Sequence, residues 1–237
     1  MIKLTKTAEE MTLAEQAAYI DYSVLKPEFT PQEIIDLAKD GVRLEVATIC
    51  FNPGYMSLVA PICQGTKTKL CPVVDFPFGL SSTASRIAQI QDVAKYDNIG
   101  EIDIVANYGK LRAGLYDEVT ADLKAVADAA HATGNKIKVI LETDALNEEQ
   151  IRAGVECTIA AGADFVKTST GFLTGFDLKG AAPEVIAVIQ DQAGDRIKVK
   201  GSGNVRTREH FLKLINMGID RIAIGYRSVP VVLDLKK

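Results

Sequence analysis

Short runs rich in β-branched and other apolar residues alternate along the chain with longer stretches whose apolar positions recur every three or four residues. The β-rich runs cover residues 19–24, 44–49, 70–75, 101–105, 137–143, 164–168, 197–200 and 221–224, and they predict eight strands. The intervening helical stretches have readable ends. Thr30-Pro31-Gln32-Glu33 and Asn147-Glu148-Glu149-Gln150 form capping boxes, and Gly41, Gly134, Gly162 and Gly218 stand where helices are expected to stop. Gly162-Ala163-Asp164-Phe165 and Gly218-Ile219-Asp220-Arg221 form a weak internal repeat, each a helix-ending glycine followed by a turn aspartate that leads into a strand. A parallel sheet must be covered by helices, so eight such units close most naturally into a barrel, with an open doubly wound sheet as the alternative. The first βα turn lacks GxGxxG, which counts against dinucleotide binding. The expectation is an α/β chain forming a single-domain (β/α)8 TIM barrel over residues 1–237, with a short helical extension at its N-terminus.

Composition narrows the function more than the fold. The 237 residues suit one barrel core, and 47% hydrophobic with 24% charged residues is ordinary for a globular chain. The net charge of -4 is spread over interspersed acids and bases. Without a basic stripe bearing aromatics, a nucleic-acid partner is not expected. Residues 1–15 are polar, unlike a signal peptide, and no run approaches a membrane span, so no membrane partner and a cytoplasmic location are expected. Cys50, Cys63, Cys71 and Cys157 show no zinc-ligand spacing and read as buried free thiols in a reducing compartment.

In a barrel the chemistry sits at the C-terminal strand ends. The chain has two histidines, His131 and His210, and both fall in predicted outer helices, so imidazole-based zinc or Ser/His chemistry is not expected. Lysine and aspartate remain at the tips. Strand six ends Asp164-Phe165-Val166-Lys167-Thr168-Ser169, and strand seven ends Lys198-Val199-Lys200-Gly201-Ser202. Side chains alternate along a strand, so Lys167 and Lys200 project together into the mouth if their faces are the inward ones. Two ammonium groups about 5 Å apart repel by roughly 3 kcal/mol at an effective dielectric near 20, which moves one amine from about 10.4 towards 8. A neutral amine is what a Schiff-base nucleophile needs. Asp103 lies among apolar residues in strand four, where a carboxylate needs a cation, and Lys200 or Lys138 can supply it. Catalysis and a purely structural ion pair are equally open for Asp103 on this pattern. Glu101 and Glu142 are further strand-end acids with no role assigned. Gly201-Ser202-Gly203-Asn204 precedes a helix, a turn whose backbone N–H groups suit a phosphate, with Gly171 after strand six beside it.

With these residues in place, the chain resembles the 2-deoxyribose-5-phosphate aldolase family over roughly residues 20–224. The carrying motifs are Ile20-Asp21-Tyr22-Ser23-Val24-Leu25-Lys26-Pro27, Cys50-Phe51-Asn52-Pro53, Asp75-Phe76-Pro77-Phe78-Gly79, Glu101-Ile102-Asp103-Ile104-Val105, Lys138-Val139-Ile140-Leu141-Glu142-Thr143, Asp164-Phe165-Val166-Lys167-Thr168-Ser169-Thr170-Gly171-Phe172 and Val199-Lys200-Gly201-Ser202-Gly203. The strand-six motif is the most specific.

The resemblance implies a class I aldolase in which Lys167 forms the Schiff base, Lys200 depresses its pKa, and Asp103 works with Lys200 in proton transfer. It further implies substrate or phosphate contacts by Asp21, Ser23, Cys50, Lys138, Gly171, Gly203, Asn204 and Gly225. The implied partners are aldehydes and sugar phosphates, with no metal or other cofactor, in a homodimer.

The sequence departs from the family in places. Tyr22 and Ser23 stand where His or Leu followed by Thr is usual, and Asn204 stands where a second glycine is usual. The family's strand-eight Arg-Ile-Gly-Thr-Ser-Ser reads here Arg221-Ile222-Ala223-Ile224-Gly225-Tyr226. Without a gap both phosphate-binding serines are lost, and with a two-residue shift Ser228 replaces one. The expected function is cleavage of deoxyribose 5-phosphate. The alternatives are a related aldolase with a less phosphorylated or different acceptor, and a barrel that binds a sugar phosphate without chemistry.

Overall fold

A computed structural model describes residues 5–235; residues 1–4 and 236–237, which the sequence reading includes in the barrel domain, lie outside the described residues. Among the described residues eight parallel strands close in chain order. They are β1 (Ile20–Val24), β2 (Thr48–Phe51), β3 (Lys69–Val74), β4 (Glu101–Val105), β5 (Lys136–Ile140), β6 (Phe165–Lys167), β7 (Lys198–Ser202) and β8 (Arg221–Gly225). The helices are α1 (Leu13–Ala17), α2 (Pro31–Arg43), α3 (Met56–Cys63), α4 (Thr83–Val93), α5 (Tyr108–Arg112), α6 (Tyr116–Ala132), α7 (Glu148–Ala160), α8 (Pro183–Ala193), α9 (Arg208–Asn216) and α10 (Val229–Val232). Pairing of β1 with β8, with Ile20 opposite Ile222, closes the ring and excludes the open sheet. None of the described helices is long and apolar enough to cross a membrane.

Strand alternation sorts the barrel into two environments. Ile102, Ile104, Ile137, Val139, Val166, Val199, Ile222 and Ile224 point outward into the main apolar core under the helices. Asp103, Lys138, Lys167 and Lys200 have the opposite parity and are also buried. Barrels usually fill that interior with layers of branched apolar side chains. Here ions fill much of it.

Both expected capping boxes form, Thr30 with Glu33 and Asn147 with Gln150. The two repeat aspartates do one job. Asp164 accepts the N–H of Ile137, and Asp220 accepts the N–H of Val199, so each turn is tied to the strand before its own.

The second strand lies further along than residues 44–49. Helix α2 runs on to Arg43 with Leu44 as its cap, and Glu45 turns the chain with φ 52° before Thr48 starts β2. Gly41 does not end the helix. It sits inside α2, where a Cβ would come within 2.2 Å of Ile49, so its missing side chain lets the helix lie against β2.

Candidate active site

An ion network fills the barrel beneath its C-terminal mouth. Asp103 Oδ2 receives Lys167 Nζ at 2.8 Å and Lys200 Nζ at 2.7 Å, while its Oδ1 lies 3.3 Å from Lys138 Nζ. Lys138 also meets Asp21 at 3.1 Å and Glu101 at 2.5 Å, and Lys200 meets Asp21 at 2.5 Å. Arg221 closes the set, reaching Asp21 at 3.1 Å and Glu101 at 2.9 Å. Thr48 adds a hydroxyl donation to Asp21 at 2.7 Å. Taking ions out of water costs several kcal/mol each, and close, shared contacts of this kind are what offset it.

The register puts Lys167 directly opposite Lys200, as alternation along β6 and β7 predicts. The repulsion expected between them is offset by a shared carboxylate. Burial alone would push Asp103 up, but Lys167, Lys200 and Lys138 outweigh it and hold the carboxyl well below the usual range. Burial alone would push Lys200 down, but Asp103 and Asp21 outweigh it and hold the ammonium above the ordinary lysine value. Asp21 is depressed by the same balance against Lys138, Lys200 and Arg221.

Above the network lies a cavity of about 610 Å³, lined by residues from the ends of β1, β6, β7 and β8. Of the network's three lysines, Lys167 alone lines it. Ser23, Gly171, Gly203, Asn204 and Gly225 line it too, which brings five of the eight residues read as substrate contacts to one mouth. Asp21 and Lys138 sit beneath it in the ion network. Cys50 also lies below, in a small apolar cluster with Leu25, Cys71 and Val73, against which Phe76 and Phe172 pack.

The thiols of Cys50 and Cys71 and the Asp103 carboxylate lie within 4.8 Å of one another, a spacing that a metal ion could use. Their surroundings oppose it, because Asp103 already receives three lysines and those cations repel a metal.

The cavity also carries charged side chains that have no role assigned from the sequence. Lys26, Arg206 and Arg227 stand on its wall with Glu28 as the acid, so the rim favours an anion. The signal for Arg206 and Arg227 was their position just after strand ends. In the network, the missed members are Glu101 and Arg221; Arg221 shares the parity of Ala223 and Gly225 on β8.

Two acids after β5 pin the connection that follows β6. Asp144 accepts from Ser169 Oγ at 3.1 Å and from the N–H groups of Lys179 and Gly180 at 2.9 Å. Glu142, 1% exposed, accepts the Thr170 N–H and hydroxyl. Burial pushes its carboxyl up, and those two donations pull it part of the way back.

A second hollow of about 620 Å³ lies between the loops after β3 and β4. Its buried cation, Arg86, is already paired with Asp75 and Asp122, and the Lys110 amine on its wall is paired with Glu118 at 2.8 Å.

No family model matches the chain. A deoxyribose-phosphate aldolase from Staphylococcus haemolyticus is 39% identical over 220 residues, covering 93% of this chain and 96% of that relative. Among solved structures, an aldolase called QR15 superposes with TM-score 0.83 at 34% identity, over 93% of this chain and 95% of that one. A deoxyribose phosphate aldolase from Aeropyrum pernix, described as a tetramer, matches with TM-score 0.83 at 25% identity, over 94% of this chain and 91% of that one.

Proposed function

The chain belongs to the deoxyribose-phosphate aldolase family, and from that membership we propose that it reversibly cleaves 2-deoxyribose 5-phosphate to glyceraldehyde 3-phosphate and acetaldehyde through a Schiff base on Lys167. The observation that carries the assignment to Lys167 is its position: it is the network lysine that lines the cavity, held from below by the carboxylate that also holds Lys200.

Charge balance supports the same residue. Asp21, Glu101 and Asp103 face Lys138, Lys167, Lys200 and Arg221, so the set carries one cation more than it has carboxylates. Lys138, Lys200 and Arg221 each pair with at least two of these acids, and Lys167 pairs with Asp103 alone. Releasing the Lys167 proton balances the network and frees a nucleophile. The amine adds to the C1 aldehyde of the open-chain sugar, and loss of water gives an iminium, which returns the positive charge beside Asp103. The C3 hydroxyl then gives up its proton, the C2–C3 bond breaks, and its electron pair enters the iminium to give an enamine as glyceraldehyde 3-phosphate leaves. Protonation of the enamine at C2 and hydrolysis release acetaldehyde and restore Lys167. Asp103, whose Oδ2 receives Lys167 at 2.8 Å and Lys200 at 2.7 Å, links the nucleophile to Lys200, and these protons pass through that pair.

The direct test is turnover of deoxyribose 5-phosphate with acetaldehyde measured as product. Full activity is expected after exhaustive treatment with a chelator, since an amine and a proton relay suffice for every step. Activity that vanished with the chelator and returned with added metal would overturn the Schiff-base assignment. Buried free thiols at Cys50, Cys63, Cys71 and Cys157 support the cytoplasm as the place of action.

Strand eight bears on the phosphate. Where the family has a serine, Gly225 stands at the cavity wall, and a Cβ there would meet nothing within 4 Å. Gly225→Ser therefore adds a hydroxyl without displacing a neighbour. One charge-assisted hydrogen bond is worth roughly 1.5 to 3 kcal/mol, so the ratio of kcat/KM for deoxyribose 5-phosphate over deoxyribose should rise about 10- to 150-fold. An unchanged ratio would mean that the phosphate sits away from β8, against the Lys26 and Arg206 side of the mouth.

A further inference from the structure

Glu142 is a buried acid at the mouth that the mechanism above does not use. Its backbone is left-handed, with φ 59° and ψ 60°, a conformation that residues other than glycine seldom adopt and that has to be held by its surroundings. What that turn achieves is to bring the carboxylate under Thr170. Oε1 and Oε2 accept the Thr170 N–H at 3.2 and 3.4 Å, and Oε2 also accepts the Thr170 hydroxyl. The same hydroxyl oxygen accepts the N–H of Phe172 at 3.0 Å.

A hydroxyl has one hydrogen and two lone pairs. In Thr170 the hydrogen goes to Glu142 and one lone pair to Phe172, which leaves one lone pair and no donor. Thr170 lines the cavity beside Lys167. Its free valence there can only accept.

The sugar brings two hydroxyls past this point. The C3 hydroxyl must lose its proton during cleavage and belongs to the Asp103 and Lys200 pair. The C4 hydroxyl is unchanged by the reaction and needs an acceptor when it leaves water. Resting on the aldolase reading, we propose that Glu142 is a positioning residue that fixes Thr170 as a hydrogen-bond acceptor, so that the site selects acceptor aldehydes carrying a hydroxyl next to the carbonyl.

The experiment runs the reaction in the synthetic direction with acetaldehyde as donor. It compares kcat/KM for glyceraldehyde 3-phosphate with that for 3-oxopropyl phosphate, which lacks only the adjacent hydroxyl. In Glu142→Gln one of the two donors of Thr170 must face an NH2 group. The backbone N–H cannot turn away, so the hydroxyl does, and it presents its hydrogen to the cavity. The preference for the hydroxylated acceptor should fall about tenfold, and it should fall by a similar factor in Thr170→Val. The double variant should fall no further, because both changes act through one hydroxyl. Thr170→Ser keeps the hydroxyl and should keep the preference, which separates the effect from any loss of folding.

If Glu142→Gln lowers both acceptors equally and leaves the preference intact, its role is structural and the proposal is wrong. Additive losses in the double variant would also overturn it. If the native protein joins acetaldehyde to neither aldehyde, the aldolase reading itself fails and this inference falls with it.

Discussion

Lys167→Met should lower cleavage of deoxyribose 5-phosphate by a factor on the order of 10⁵ or more, because without the amine no iminium forms and the C2–C3 electron pair has nowhere to go. The protein should still fold. Asp103 keeps Lys200 at 2.7 Å and Lys138 at 3.3 Å, so removing Lys167 leaves no buried carboxylate unpaired, and an apolar side chain of similar length fills its place. A companion measurement on the native protein identifies the atom. Borohydride with acetaldehyde should leave one ethyl group, located by peptide mass mapping on Lys167, and should abolish turnover. An adduct on Lys26, the other lysine on the cavity wall, would move the chemistry to the rim and overturn the assignment.

Asp103→Asn should slow turnover by about 10² to 10⁴ while borohydride trapping on Lys167 persists. The amide keeps the shape and loses the proton-accepting oxygen, so imine formation and the proton steps separate. Loss of trapping in a folded variant would instead make Asp103 necessary for holding Lys167 in place. A stability difference should accompany the rate effect, with a definite sign. The folded Asp103 carboxyl is held below its unfolded value, about 3.9, so its contribution is fully present above that pH and is lost as pH falls through the lower folded value. The gap in unfolding midpoint between the native protein and Asp103→Asn should therefore be constant near neutrality and shrink in acid below about pH 4. A gap that widened in acid would mean that Asp103 is protonated in the folded protein.

The central geometry was open to sequence reading because alternation along a strand is a local rule. It put Lys167 and Lys200 on one side of their strands and identified Asp103 as a carboxylate in want of a cation. The full extent of the network was not, since Lys138, Glu101 and Arg221 meet only after eight strands close and set their stagger. The start of β2 was misplaced for a related reason. Leu44 and Val46 alternate with polar residues like a strand, yet Gly41 continues α2 because Ile49 packs where its side chain would be. The left-handed turn at Glu142 left no mark in the sequence either: residues 137–143 predict one strand, β5 ends at Ile140, and glutamate carries no preference for the left-handed conformation.

A barrel whose middle is ionic also responds to temperature differently from one filled with branched hydrocarbon. Exposing apolar groups raises the heat capacity on unfolding and exposing polar groups lowers it, so each ion in place of a Val or Leu flattens the stability curve. The cost of withholding charges from water also declines on warming, because their hydration becomes less favourable. For Asp21, Glu101, Asp103, Lys138, Lys167, Lys200 and Arg221 both trends run the same way. The part of the molecule that handles protons is then held together by contacts whose desolvation cost falls as the temperature rises.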